Sequence, residues 1–193
     1  MMFRLAIFVD GAYLEKVAKK NNVWVDYEKL SSEILTRVNA RTPAAPIDLL
    51  RTYYYNSLPH QSNPPTDDDK AFFRRRRGFY DALERLSSFT VRLGVVKHRG
   101  KDNQGQPIYQ QKQVDLLLGL DFALLSAKRS ITHAAVVTGD SDMVPAFEVA
   151  QREGIAVWLF TGEPQSHARE LWQTADERVD LDQPFLNTIQ RDR

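Results

Sequence analysis

The sequence predicts an α/β fold in which a mostly parallel central sheet is flanked by helices. Three short, nearly continuous apolar runs, at residues 5–9, 134–137 and 155–160, are typical of strands that are buried on both faces. Segments with helical periodicity lie between the strands, and such alternation is typical of parallel sheets covered on both sides. Aspartates stand at several boundaries between these elements, which is where sites form in such folds.

The first half of the chain alternates between helical and strand-like segments. Helices are predicted at residues 12–20, 27–38 and 67–86. Strands are predicted at residues 48–55 and 89–97. Asp26 is a plausible N-cap of the second helix, and the acidic run Asp67, Asp68 and Asp69 opens the third, where the helix dipole favours negative charge. Residues 57–66 contain three prolines and are expected to form a surface loop.

The second half is predicted to continue the same alternation. Its predicted segments are a flexible polar connection at residues 99–107, helices at 111–128 and 145–152, and the two buried strands already described. Gly154 is expected to end the second of these helices. We expect residues 1–165 to form one domain and residues 166–193 to be a helical extension packed on it, although this segment also suits an oligomer contact.

Composition limits the class of protein. A chain of 193 residues with 42% hydrophobic content can bury a substantial core as one domain. The net charge of +1 gives no global attraction to nucleic acid, so a polyanion site requires local clustering of the 26 Lys and Arg residues. The absence of cysteine excludes disulfides and thiolate metal sites. No apolar run approaches the roughly 20 residues of a membrane span, so we expect a cytoplasmic protein.

Four aspartates lie at the ends of predicted strands or near the starts of predicted helices. They are Asp10, Asp115, Asp140 and Asp142. In an open α/β sheet, ligands bind outside the carboxyl ends of the strands, so these carboxylates are expected to converge. Mg²⁺ and Mn²⁺ prefer oxygen ligands, and a bound ion activates water and polarises a scissile phosphate. The set therefore predicts a one-metal or two-metal hydrolase site.

Each aspartate also has a purely structural explanation. Asp10 before Gly11 fits turn chemistry, and Asp115 fits a first-turn partner of the helix dipole. Asp142 taken alone is better explained as the cap of the helix whose first turn contains Pro145. Because three separate element ends all carry Asp, a shared site explains the set better than three independent turns.

Three sequence blocks resemble the signature blocks of the NYN domain family, the LabA/DUF88-like branch of the PIN-like nuclease superfamily. They are Ile7-Phe8-Val9-Asp10-Gly11, Lys112-Gln113-Val114-Asp115 with Asp121 following, and Val137-Thr138-Gly139-Asp140-Ser141-Asp142-Met143-Val144-Pro145. The blocks occur in family order over about residues 3 to 162. The third is the most specific, because it reproduces the family pattern S/T-G-D-S-D-F/M-x-P throughout.

The resemblance implies a three-layer PIN-like (Rossmann-like) fold and cleavage of RNA that depends on Mg²⁺ or Mn²⁺. By position, the residues that match the catalytic, metal-binding carboxylates are Asp10, Asp115, Asp140 and Asp142. Thr138 and Ser141 match small hydroxylic residues that line the same turn and support it. The chain departs from the family at Tyr13, where Asn is common, and at Gln113, where Gly is common. Neither departure removes a carboxylate.

Two further residues near the second block are candidates for the site. Asp121 lies in a mostly apolar stretch, where an unpaired carboxylate is costly, so it either supports the site from behind or pairs with an arginine. The first alternative is slightly favoured. Lys112 lies one predicted helical turn before Asp115 and is a candidate contact to a substrate phosphate. A basic cluster just before it, formed by Lys97, His98, Arg99 and Lys101, is more simply explained by surface solubility.

The helix that follows the acidic run is the candidate RNA-binding face. Its basic residues at roughly helical spacing are Lys70, Arg74, Arg77 and Arg85. Its expected core-facing stripe contains Phe72, Phe79, Leu83 and Leu86. A cationic ridge holds phosphates without reading sequence, but a solvated face with local pairs such as Asp81 with Arg85 explains the pattern equally well. Three consecutive tyrosines, residues 53–55, can stack on bases, although strand alternation favours the core for two.

These observations favour a metal-dependent endoribonuclease that hydrolyses RNA phosphodiester bonds, with single-stranded RNA as the expected partner and a homodimer possible. The main alternative is an RNA-binding or regulatory adaptor protein that keeps the acidic turns but has little turnover. The same metal chemistry also serves a DNA nuclease or a phosphatase. A phosphatase is less favoured because no Asp-x-Asp pair follows the first strand to supply a nucleophile and its acid partner.

Overall fold

In a computed structural model, the protein forms a seven-stranded sheet with helices on both faces. The structure describes residues 3–42, 45–101, 104, 107–162 and 168–192, without the side chains of residues 97–99, 101 and 107–112. The strands are β1 (Phe3–Asp10), β2 (Ile47–Ser57), β3 (Phe89–Lys101), β4 (Pro107–Lys112), β5 (His133–Val137), β6 (Ala156–Thr161) and β7 (Glu177–Asp180). The helices are α1 (Gly11–Lys20), α2 (Tyr27–Ala40), α3 (Asp67–Glu84), α4 (Val114–Ala127), α5 (Val144–Arg152), α6 (Arg169–Thr174) and α7 (Gln183–Thr188), and a 3₁₀ turn spans Ser141–Met143.

The strand order is β4-β3-β2-β1-β5-β6-β7, and the pairs are parallel except for β4 with β3. The order reverses direction at β1, which pairs with β2 on one side and with β5 on the other. This arrangement confirms the predicted α/β fold with a mostly parallel sheet. It also creates a crevice beside the carboxyl end of β1, because the connections from β1 and β5 leave toward opposite faces.

Alternate side chains of β1 supply two hydrophobic cores. Leu5, Ile7 and Val9 pack in one cluster with residues of α1, α2 and α3. Ala6 and Phe8 pack on the other face in a cluster with residues of α4 and α5. The apolar run of β1 is continuous because both faces of this central strand are buried.

Helix ends follow the capping chemistry expected from the sequence. The Asp26 side chain accepts hydrogen bonds from the backbone N–H groups of Glu28 and Lys29, which confirms it as the N-cap of α2. Thr66 and Asp69 form a reciprocal capping box at the start of α3. Gly154 follows α5 with a φ of 79°, a left-handed conformation that suits glycine.

The predicted helix at residues 111–128 starts too early. Residues 111 and 112 belong to β4, which pairs antiparallel with β3, and α4 begins at Val114. Gln113 separates the two elements with a φ of 72°. The polar connection predicted at residues 99–107 is shorter than expected, since β3 extends to Lys101 and β4 begins at Pro107. Of the residues between these strands, only residue 104 lies within the described part.

The carboxyl-terminal segment, which we expected to be helical, also contributes a strand. β7 pairs in parallel with β6 and lies between α6 and α7. Phe185 and Leu186 of α7 are buried in the same core cluster as β1, whereas Trp172 of α6 is 42% exposed. The helical periodicity of such short segments is too brief to exclude a four-residue strand.

The predicted apolar stripe of α3 is wrong at Phe72, which is 49% exposed. Tyr80 and Leu83 are the buried residues of α3, and Phe79 is partly buried against the same core. Phe72 lies on the same helical face but nearer the start of α3, where it lines an open cavity and does not pack in the core. Periodicity therefore identifies the face of the helix correctly but does not show where the sheet beneath it ends.

Gly11 is required by close packing at the start of α1. A Cβ atom at this position would overlap the ring of Tyr54, which is fully buried. The glycine therefore lets α1 begin directly after β1 and holds the first turn of the helix against β2.

We expect Gly11→Ala to lower the free energy of unfolding by about 1–3 kcal/mol, because the added methyl group overpacks a buried ring. Gly78→Ala is the matched control, because Gly78 lies inside α3 and open space surrounds the position that a methyl group would take there. That change should stabilise the protein by about 0.5–1 kcal/mol through helix propensity. Urea unfolding of both variants measures the difference, and equal effects of the two substitutions would contradict the packing argument.

Candidate functional site

The carboxyl ends of β1 and β5 lie side by side and bring two aspartates to the same edge of the sheet. Val9 pairs with Val137, and Asp10 follows the first while Thr138, Gly139 and Asp140 follow the second. The apolar runs of both strands end at this point because the chain leaves the core here. Because β1 and β5 pair in parallel, Asp10 and Asp140 lie at the same edge of the sheet although more than a hundred residues separate them in the sequence.

Asp10 lies at the centre of this edge and caps α1. Its Oδ1 accepts a hydrogen bond from the backbone N–H of Tyr13 at 3.0 Å. Burial raises the pKa of Asp10 to about 6, the hydrogen bond from Tyr13 opposes the shift, and the charges of Asp115 and Asp140 add to it. Three carboxylates therefore act on one another at this position.

Asp115 is placed by the start of α4. Val114 and Leu118 on the buried side of this helix share a core cluster with Met143, which lies in the turn after Asp140. Burial raises the pKa of Asp115, and the charges of Asp140 and Asp142 raise it further. The side chain remains substantially exposed, so it faces solvent at the same edge.

Asp140 and Asp142 lie in the 3₁₀ turn between β5 and α5. The Asp140 Oδ1 accepts a hydrogen bond from the Asp142 backbone N–H at 3.0 Å, and the Asp140 N–H donates to the Thr138 Oγ1 at 3.2 Å. The prediction that Asp142 caps the following helix is wrong, because Met143 occupies the N-cap position of α5 and Asp142 is exposed. Asp140 is the capping residue of this turn.

The donor set has the chemistry of a site for a hard divalent ion, but it is an open one. Within the part of the chain that the structure describes, no group of three or more Asp, Glu, His or Cys side chains is close enough to enclose a metal ion. Mg²⁺ commonly keeps several waters and is bound by one or two carboxylates together with substrate phosphates. The carboxylates that raise the pKa of Asp10 suit such a hydrated ion, because a cation there would relieve their mutual repulsion.

Asp121 pairs with an arginine, which is the second of the two alternatives that the sequence left open. Its two carboxylate oxygens accept hydrogen bonds from Arg92 at 2.8 and 2.9 Å, and Oδ2 also accepts one from the Tyr55 hydroxyl at 3.0 Å. Tyr55 is the register partner of Asp10 in β2. Asp121 therefore anchors α4 to the neighbouring strands, which accounts for a carboxylate in an apolar stretch.

Tyr13, the departure from the family pattern, links α1 to the carboxyl end of β6. Its hydroxyl lies 2.8 Å from the Thr161 Oγ1 and accepts a hydrogen bond of 2.8 Å from the backbone N–H of Gly162. The Tyr13 backbone N–H also donates a hydrogen bond to the Asp10 carboxylate, so this one residue connects the ends of β1 and β6.

The predicted RNA-binding residues of α3 are exposed, and two of them form ion pairs on the helix surface. Lys70 pairs with Asp67 at 3.1 Å, and Arg77 pairs with Asp81 at 2.9 Å. Arg74 is exposed on the helix, and Arg85, also exposed, is its C-cap residue. Lys112 ends β4, but its side chain lies outside the described residues, as do those of Lys97, His98, Arg99 and Lys101.

A polar network that the sequence does not predict joins α1, β2 and α3. Arg76 donates to both oxygens of Glu15 at 2.8 and 3.1 Å and to the Tyr80 hydroxyl at 2.7 Å. The Glu15 Oε1 also accepts hydrogen bonds from the Tyr54 hydroxyl at 2.7 Å and from the Asn56 amide at 3.1 Å. Periodicity places Arg76 on the face of Tyr80, but no local signal connects it with a residue 61 positions away.

None of the helices within the described residues is long and apolar enough to cross a membrane. The chain is similar to the low amplitude and bright protein LabA of Synechococcus elongatus, with 24% identity over 97% of this chain and 90% of that protein. It is also 29% identical to the uncharacterized protein y4oD of Sinorhizobium fredii, over 52% of this chain and 44% of that one.

The fold is similar to a crystal structure of VPA0982, a protein of unknown function from Vibrio parahaemolyticus. The TM-score is 0.58 at 17% sequence identity, and the match covers 94% of each chain. The family model of the NYN domain matches residues 4–182, which include the whole sheet apart from Phe3. The match also includes the four aspartates Asp10, Asp115, Asp140 and Asp142, named here the acidic edge. The chain therefore belongs to the NYN domain family.

Proposed function

We propose that this protein is a metal-dependent endoribonuclease in which Asp10, Asp115, Asp140 and Asp142 hold Mg²⁺ or Mn²⁺. The observation that carries the proposal is electrostatic: Asp115 and Asp140 both raise the pKa of Asp10 at one edge of the sheet. Uncompensated carboxylates are costly to gather, and a divalent cation offsets that cost. Membership of the NYN domain family, whose members are generally nucleases, supports the same reaction class.

The chain's own residues prepare the site for that chemistry. A bound ion supplies an activated water and charge stabilisation at the scissile phosphate. The hydrogen bonds from Tyr13 to Asp10 and from Asp142 to Asp140 fix the orientation of two carboxylates before an ion arrives. Asp115 and Asp142 are more exposed, and we propose that they bind the ion from the solvent side. Such preorganisation reduces the rearrangement needed when the ion and substrate bind.

RNA is the proposed substrate, and the basic residues of α3 are proposed to contact its phosphates. The proposed contacts are Lys70, Arg74 and Arg77 of α3, Arg85 at the end of this helix and Lys112 at the end of β4. Surface ion pairs such as Arg77 with Asp81 are worth less than about 1 kcal/mol, so they exchange readily for phosphate contacts. Contacts of this type position the substrate without reading its sequence. We also propose that Thr138 and Ser141 support the turn that carries Asp140.

One observation favours a second candidate function, RNA binding with little turnover. The described residues contain no cluster of three ligand side chains close enough to enclose an ion, which is compatible with a site that binds metal weakly. The two functions share the RNA-binding surface and differ only in whether the acidic edge supports hydrolysis. A cleavage assay therefore separates them.

We expect purified protein to cleave labelled single-stranded RNA in the presence of Mn²⁺ or Mg²⁺ and to be inactive in EDTA. Asp140→Asn should lower cleavage by at least about 100-fold, since it weakens a direct ligand. Asp26→Asn is the matched control, because Asp26 is also an N-cap aspartate and Asn keeps that cap. Matching DNA and a phosphomonoester define the substrate class. Full activity of Asp140→Asn, or no metal-dependent cleavage by the wild type, would overturn the proposal.

The raised pKa of Asp10 makes the metal-free protein sensitive to pH. Because the folded pKa of about 6 exceeds the unfolded value of 3.8, stability from this group is fully present below about pH 4 and is lost as pH rises through 6. Asp10→Asn keeps the cap but removes the titration. In EDTA, the variant should therefore gain stability over the wild type between pH 4 and 7, by up to about 3 kcal/mol.

Urea unfolding of both proteins in EDTA at pH 4.5 and 7.5 measures this gain. Addition of Mg²⁺ at the higher pH should stabilise the wild type more than Asp10→Asn, since a ligand that binds the folded state adds to its stability. If the two proteins differ in free energy of unfolding by the same amount at both pH values, the pKa of Asp10 is not raised in the folded protein.

A further inference from the structure

Two cavities lie on either side of the pair formed by Glu15 and Arg76. The first has a volume of about 490 Å³ and is lined by residues at the carboxyl end of α1 and beyond it, including Trp24. The second has a volume of about 600 Å³ and is lined by Ala12 and by residues from the end of β2 and the start of α3. Glu15 and Arg76 line both cavities. The two cavities therefore adjoin at this pair between α1 and α3, and together they are named here the α1–α3 groove.

The outer end of the α1–α3 groove is an aromatic surface bordered by cations. Trp24 is 78% exposed, the largest exposure among the large hydrophobic residues of the described chain. Tyr27 and Phe79 line the same cavity, as do the cationic residues Lys19 and Arg191. Trp24, Tyr27 and Phe79 therefore form an aromatic patch with a charged rim, and apolar patches of this kind are typical of binding sites.

The backbone around Trp24 is held in place. The Arg191 N–H donates to the Trp24 carbonyl at 2.7 Å, and Val25 forms an antiparallel bridge with Gln190. These contacts tie the segment after α1 to the carboxyl-terminal segment. Trp24 is therefore presented on an ordered backbone, which lowers the entropy lost when a ligand stacks on it.

The inner end of the α1–α3 groove lies beside the first turn of α1 and the end of β2. Ala12 lines it and lies two residues after Asp10, and Phe72 contributes an exposed ring to the opposite wall. Arg76 is engaged by Glu15 and Tyr80, so the floor of the groove carries a neutralised pair. Among the described residues, the unpaired cations of the lining, Lys19 and Arg191, therefore lie at the outer end, whereas Asp69 and the pair of Glu15 with Arg76 line the inner end.

We infer that the α1–α3 groove binds single-stranded nucleic acid, with a base stacked on Trp24 and the backbone phosphates near Lys19 and Arg191. Proteins that bind single strands combine aromatic rings with a cationic groove, and an unpaired base is needed for stacking on a side chain. The ten residues of α1 rise about 15 Å, so a strand stacked on Trp24 needs several nucleotides to reach the start of α1, next to Asp10. Cleavage of the bound strand depends on the proposed nuclease function, whereas binding of the strand in the groove does not depend on it.

Binding is tested in EDTA, so that cleavage does not occur. The probes are a fluorescently labelled single-stranded RNA of about 12 nucleotides and the same sequence as a duplex. Trp24→Ala should weaken binding of the single strand about tenfold or more, since one stacked base contributes that much. Trp172→Ala, the matched control at another exposed tryptophan, should bind as the wild type does. The wild type should bind the duplex more weakly than the single strand.

Two further measurements identify the contacts. Lys19→Ala should reduce the slope of log Kd against log salt concentration by about 0.7, the value for one lost phosphate contact on a single strand. Bound RNA should quench tryptophan fluorescence in the Trp172→Phe variant but much less in Trp24→Phe. Because Trp24 is mostly exposed, thermal unfolding of its variants should match that of the wild type, which excludes misfolding as the cause.

The outcomes separate this inference from the proposed function. Binding that depends on Trp24, without cleavage under any metal condition, would support the groove and overturn the nuclease. Cleavage that depends on Asp140, with single-strand binding unchanged in Trp24→Ala and Lys19→Ala, would support the nuclease and overturn the groove. Loss of self-association in Trp24→Ala with unchanged RNA binding, measured by sedimentation, would also overturn it, because Trp24 would then lie in a protein interface.

Discussion

The parallel pairing of β1 with β5 is the constraint on which the candidate site depends. It places the ends of two buried strands side by side, and each end is followed by a turn that carries an aspartate. The same pairing fixes the cores on both faces, since β1 supplies alternate residues to each. The position of α4 follows from the second core, because Val114 and Leu118 pack with Met143 and so bring Asp115 to the same edge. The apolar packing therefore determines the proximity of charges that repel one another.

Capping and metal binding are compatible roles for the same carboxylate. A carboxylate offers about four lone-pair sites, and the caps made by Asp10 and Asp140 each use Oδ1. A backbone N–H that donates to the carboxylate lowers its pKa, which opposes the burial and like-charge repulsion that raise the pKa of Asp10. The caps thus make it less costly to keep charged ligands in place. A capping role, which the structure shows for Asp10 and Asp140, therefore does not exclude the metal-binding role proposed for the same residues.

The sequence predicts most of the fold because its strongest signals are local. Buried apolar runs and the N-cap Asp26 correspond directly to observed strands and to the start of α2. The errors arise where a long-range partner decides the structure. Residues 111 and 112 are extended because β3 is available to pair with them, and Phe72 is exposed because it faces an open cavity and not the packed core. The pair of Glu15 with Arg76 has no local signal, since burial of a charge depends on a partner from another element.

That pair also explains how one helix can serve both the acidic edge and a groove. The first turn of α1 is fixed by Asp10 and by the contact of Tyr13 with β6, and its middle is fixed by Glu15, which bonds with both β2 and α3. A charged residue with fewer partners at this position would leave one side of the groove floor charged and hydrated. Because Arg76 satisfies Glu15 and Tyr80 together, this pair is neutral, and Lys19 and Arg191, the phosphate contacts that we propose for the groove, lie at its outer end, away from Asp10. In the proposed complex, repulsion between substrate phosphates and the four aspartates therefore arises where a bound divalent cation would offset it.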